Sequence, residues 1–99
     1  MNNSLISQVV SSLTMLAYRV HKDFNSFTGE VENIIFYSDK KEDEYIRLNF
    51  HAHEAPTISY CQTVDLEDDR RHIECNRSLK DWSDFCTILQ VAKAGINFI

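Results

Sequence analysis

From Tyr45 to Ala52 the side chains alternate without a break. Ile46, Leu48, Phe50 and Ala52 are apolar, and Tyr45, Arg47, Asn49 and His51 between them are polar or amphipathic. A strand turns successive side chains to opposite sides, so this segment has one dry face and one wet face. A chain containing it has to build a sheet that is covered on one side and open on the other.

The flanking segments supply the cover. Leu5, Val9, Leu13, Leu16, Val20 and Phe24 recur at helical spacing, with Ile6 and Ala17 widening the stripe and Asn3 or Ser4 available as a cap. The spacing predicts an amphipathic helix running to about Lys22. Asn25 to Gly29 ends it, and Val31 to Tyr37, rich in β-branched and aromatic residues, reads as a strand. The charged run Ser38–Asp43 is a hairpin loop, and Pro56 turns the chain after Ala55. Thr57 to Val64 is a third strand with Ile58, Tyr60 and Val64 on one side, and Arg70 to Cys75 a weaker fourth with Ile73 and Cys75 inward. Ser78 and Asp81 resemble a capping box for a closing helix that carries Leu79, Trp82, Phe85, Cys86, Leu89 and Ala92 on one face and stops at Gly95.

With 99 residues and only two glycines and one proline, the chain has room for one core and little linker. Short connections make the strands an antiparallel meander. The expected fold is a single α+β domain over residues 1–99, ordered α-β-β-β-β-α. It is a two-layer sandwich with a four-stranded antiparallel sheet and both helices on one face. The open face then carries Tyr45, Arg47, Asn49, His51, Thr57, Ser59, Cys61 and Thr63, joined by Arg70, His72 and Glu74 from the last strand.

Fifteen carboxylates stand against ten Lys and Arg, a formal net charge of −5. That balance disfavours direct binding to nucleic acid or to anionic membranes, both of which reward cationic surfaces. No Lys or Arg precedes Arg19, so the apolar N-terminal stretch lacks the basic start of a signal peptide. Cys61, Cys75 and Cys86 are odd in number and form no CxxC, which fits reduced thiols and a cytoplasmic location.

Chemistry-bearing patterns are sparse. His51 and His53 share a strand face, and with Cys61 they are candidate metal ligands, but the pair runs into a turn and no fourth ligand follows. His51 and His72 are a candidate acid–base pair for phosphodiester cleavage, about 10 Å apart by strand spacing. Solvated histidines on a polar sheet face account for both patterns more simply, so neither a cofactor nor catalysis is expected. Trp82 falls on the apolar stripe of the last helix, which assigns it to the core.

The acidic segments carry more. Glu42, Asp43 and Glu44 lie in the first hairpin loop, and Asp65, Glu67, Asp68 and Asp69 in the third. In a meander these loops project from the same end and make a negative rim beside the open face. Such a rim steers a basic partner, and Tyr45, Arg47, His51 and Tyr37 are side chains that interfaces favour. Together they are the expected partner-binding residues, with edge strands as a further surface for self-association.

In size, acidity and lack of assembled chemistry, the whole chain resembles the small immunity proteins that bacteria make against contact-dependent-inhibition and related toxins. The resemblance is one of class and rests on no motif. It implies a cytosolic protein that binds one cognate toxin, often a nuclease, and covers a cationic surface. A phage-type inhibitor mimicking nucleic acid, a secretion chaperone and a His-dependent phosphodiesterase are the alternatives.

Overall fold

Leu5, Val9 and Leu13 stand at helical spacing, and all three are buried along one side of the first helix, α1 (Asn3–Leu16). The computed structural model describes residues 3–38, 44–67 and 69–94, except the side chains of 64–66, 93 and 94. Five strands follow: β1 (Arg19–Phe24), β2 (Val31–Tyr37), β3 (Glu44–Asn49), β4 (Thr57–Leu66) and β5 (Asp69–Ser78). The second helix, α2 (Trp82–Ala94), ends the described chain. The fold is α+β, and the sheet runs β1-β2-β3-β4-β5 with every neighbouring pair antiparallel. Among the described residues no helix is long and apolar enough to cross a membrane.

The sheet has five strands rather than four because the first helix stops early. The Ala17 N–H still reaches the Leu13 carbonyl at 2.8 Å, but the Tyr18 N–H turns to the carbonyl of Tyr37 on β2 at 2.9 Å. Val20 and Phe24, which continue the helical stripe in sequence, instead lie in register with Phe36 and Val31. Backbone pairing with β2 outweighs the local helical pattern. The β1–β2 turn is shaped by Asn25, whose Oδ1 accepts from the N–H groups of Phe27 (2.8 Å) and Thr28 (3.0 Å). Gly29 closes it at φ 74°, a left-handed conformation that favours glycine.

Both helices cover one face. Leu5, Val9 and Leu13 of α1 form a single buried cluster with Ile34, Phe36, Ile46, Leu48, Ile58 and Tyr60 from the sheet and with Leu79, Phe85, Ile88 and Ala92. Within β2 and β3 the buried positions follow the two-residue period, as a half-covered sheet requires. The stripe of α2 is rotated from the expected one. Ile88 is fully buried, whereas Trp82 is 43% exposed and meets Phe85 edge-on at 4.8 Å between ring centroids.

The cap of α2 also moves, because β5 runs on to Ser78. Asp81 Oδ1 accepts from the N–H groups of Ser83 (2.9 Å) and Asp84 (3.3 Å), and Asp84 Oδ2 reaches back to the Asp81 N–H at 3.0 Å. This is a reciprocal cap with aspartate in place of the usual glutamate. Arg77 Nε donates to Asp84 Oδ1 at 2.5 Å, and the Lys80 N–H donates to Oδ2 at 2.9 Å. These donors, Arg77 foremost, hold the Asp84 carboxyl below its ordinary range.

Candidate partner-binding face

The four hairpin registers bring one residue from each strand into a row across the uncovered face. Arg19 is opposite Tyr37, Tyr37 opposite Tyr45, Tyr45 opposite Cys61, and Cys61 opposite Glu74. A second row, displaced by two residues, runs His21, Ile35, Arg47, Ser59 and Asn76.

The side chains in these rows touch. The Arg19 guanidinium sits over the Tyr37 ring at 4.3 Å, close enough for a cation–π contact. The rings of Tyr37 and Tyr45 lie 5.8 Å apart with planes tilted by 57°. Arg47 Nη2 donates to Glu74 Oε1 at 3.0 Å, and the Cys61 thiol donates to the same oxygen at 3.8 Å. Because Arg47 is on β3 and Glu74 on β5, their ion pair spans β4. Ser59 and Cys61 beneath it are buried although neither α1 nor α2 lies on this side. Burial pushes the Cys61 thiol up from its ordinary pKa, and the Glu74 carboxylate adds to the effect. Burial raises Tyr45 as well, with Cys61 beside it the next cause.

Other expected site residues fall elsewhere. His51 lies just beyond β3, and its Nε2 is 3.0 Å from Thr57 Oγ1, beside a cleft of about 530 Å³ shared with Asn25, Thr28, Glu32 and Phe50. Thr57 and Cys61 are four residues apart on β4, about 13 Å by strand rise, so His51 and Cys61 do not converge. His72 pairs with Thr63, at the far end of β4 from Thr57. That places the two histidines roughly 20 Å apart along the sheet rather than 10 Å. Among the described residues no three His, Cys, Asp or Glu side chains gather as metal ligands would.

The acidic rim is seen in part. The β2–β3 and β4–β5 connections leave the same end of the sheet, and Glu67 and Asp69 there are exposed. Asp69 Oδ2 lies 3.8 Å from Arg71 Nε. Glu42, Asp43 and Asp68, and the side chain of Asp65, lie outside the described residues. Glu44 does not join the rim. It begins β3 on the same side as Ile46 and Leu48, is 0% exposed, and accepts a hydrogen bond from the Tyr60 hydroxyl. Burial first, and then this carboxylate, drive the Tyr60 pKa well up.

Arg19 is the member of the face that helical periodicity conceals, since it reads as part of the polar side of a longer helix. The signal that would have found it is the Asn25–Gly29 turn, which is flanked on both sides by β-favouring residues as a hairpin turn is. No family model matches the chain, and no curated protein or solved structure matches it either.

Proposed function

We propose that the chain is an immunity-type protein that neutralises a basic toxin domain, a nuclease in the first instance, by docking its open sheet face on that domain. One observation carries the reading: Arg19, Tyr37, Tyr45, Arg47 and Glu74 form a contiguous, partly exposed array held in place by contacts with one another. Tyrosine and arginine dominate the energetics of protein interfaces, and side chains already fixed by neighbours lose less entropy on binding. The net charge of −5 complements a partner that must itself attract phosphates, and it speeds encounter with such a partner. Glu67 and Asp69 put part of that charge at the end of the same sheet.

The test is protection by co-expression with the toxin encoded beside this chain's gene. Growth should be restored, and the purified pair should form a stoichiometric complex whose association slows with salt. Tyr45→Ala should weaken the complex by about 30-fold, the loss expected for a central aromatic anchor. Unrelieved toxicity would sink the reading, as would a complex indifferent to Tyr45→Ala and Arg47→Ala combined.

A further inference from the structure

The two edges of the sheet are built differently. β1 is six residues long, and its pairing with β2 is broken by a bulge between Asp23 and Phe24. A bulge twists an edge strand and spoils it as a template for further pairing. β5 is ten residues long and stays in unbroken register with β4 from Asp69 to Ser78. It contains neither glycine nor proline. At its middle, Ile73 is 49% exposed on the side of the sheet that carries the helices.

We infer that β5 pairs with β5 of a second copy of this chain, antiparallel and with the twofold axis at Ile73. In that register Ile73 meets its own copy, so the exposed apolar side chain covers itself. Asp69 falls opposite Arg77 of the second copy, and His72 opposite Glu74, each twice by symmetry. Arg71 falls opposite Cys75. Every position that bears a carboxylate thus faces a basic side chain. Moving the axis one residue to Glu74 sets Glu74 against Glu74 and Arg71 against Arg77, two like-charge pairings that repel. Placing the axis on a residue also keeps both helix layers on the same side, because directly opposed residues share a face. The result is one continuous ten-stranded sheet. The pairing runs in the plane of the sheet, so Tyr37, Tyr45 and Arg47 stay uncovered.

The experiment uses the full chain. Light scattering across a concentration series should give twice the monomer mass at the upper end. Ile73→Lys, which sets two ammonium groups against each other on the axis, should raise the dimer dissociation constant at least ~10-fold. Val20→Lys on β1 should leave it unchanged. Register is read separately with Arg71→Cys. Opposed residues in an antiparallel pair have Cα atoms about 4.5–5.5 Å apart, within disulfide reach. Mild oxidation should therefore join Arg71→Cys to Cys75 of the second copy, and adding Cys75→Ser should abolish the link. A monomer at all concentrations overturns the inference. So does a dimer that Val20→Lys disrupts and Ile73→Lys does not. If Ile73→Lys fails to fold, judged by circular dichroism, a dimer without the crosslink still overturns the register.

Discussion

The two faces of this sheet are made by the same strands, yet they are ordered by different physics. On the covered face Phe36, Ile46, Leu48 and Ile58 are fully buried under the helices and fixed by close packing. On the open face Arg19, Tyr37, Tyr45, Arg47 and Glu74 are fixed by directional contacts with one another, and water reaches them from above. Packing order is indispensable to the fold, because each buried apolar side chain contributes about 1.5–3 kcal/mol. Order made from exposed ion pairs and ring contacts contributes far less per residue. The open face is therefore the one that natural or engineered change can reshape without unfolding the protein.

That difference breaks down if substitutions on the two faces cost alike. The largest effect should come from Phe36→Ala or Ile46→Ala, which empty the centre of the core. Phe36→Ala should lower unfolding free energy by about 3–5 kcal/mol and Ile46→Ala by about 2–5 kcal/mol in denaturant titrations, against less than about 1 kcal/mol for Arg47→Ala opposite. A smaller loss is expected from Tyr60→Phe. It removes the donor to the buried Glu44 carboxylate, whose Oε1 has no partner among the described residues. Leaving that carboxylate unsatisfied should cost about 1–3 kcal/mol. A neutral result in the same titration would mean that Glu44 draws its stabilisation from elsewhere.

How far each face was legible follows from the range of the forces that order it. Alternation in β3 announces Ile46 and Leu48 as inward and Tyr45 and Arg47 as outward, and the structure places them so. Patterning is a local signal and survives without a register. The contacts of the open face depend on which residues stand opposite one another, and composition carries no such information. Arg19 was hidden for a related reason, since Leu16, Val20 and Phe24 extend a helical stripe that only pairing with β2 overrides. Glu44 was misplaced because a charge at the end of a loop ordinarily stays in water. Here it falls on the inward parity of β3, with the Tyr60 hydroxyl waiting for it. Asp84 gave a sequence signal three residues after Asp81, but the Ser78 and Asp81 pair competes with it at the same spacing.

Asp84 offers a sharper, pH-dependent test at the boundary between the helix layer and the strands. Its folded-state pKa lies below the ordinary value of 3.8, through Arg77 first and then the amides of Lys80 and Asp81. Stabilisation is thus complete above the unfolded-state value and is lost as pH falls through the folded-state value. Asp84→Asn should cost about 1 kcal/mol near neutrality, as the loss of a helix cap does. Its stability should also decline less steeply than the parent's in urea titrations below about pH 4. Parallel pH profiles for the two proteins would remove Asp84 as a source of acid sensitivity.

The smallest expected effect on stability carries the most direct information about the open face. Cys61 is buried there by the Arg47–Glu74 bridge above it, rather than by a helix. Removing both partners with Arg47→Ala and Glu74→Ala should cost less than about 1 kcal/mol, since the bridge is partly solvated. The same double substitution should expose the thiol, and alkylation of Cys61 by iodoacetamide, followed by peptide mapping, reads that exposure. Burial raises the thiol's pKa most, and Glu74 raises it more than Arg47 lowers it, so deleting both eases the thiol's ionisation as well as its access, and both changes speed alkylation. Cys75 and Cys86 are both partly exposed and serve as internal standards within each digest. If Cys61 stays as slow to react as in the parent, the strands themselves protect it. The open face would then be rigid through its backbone, and its side chains would be less organised for a partner than their contacts suggest.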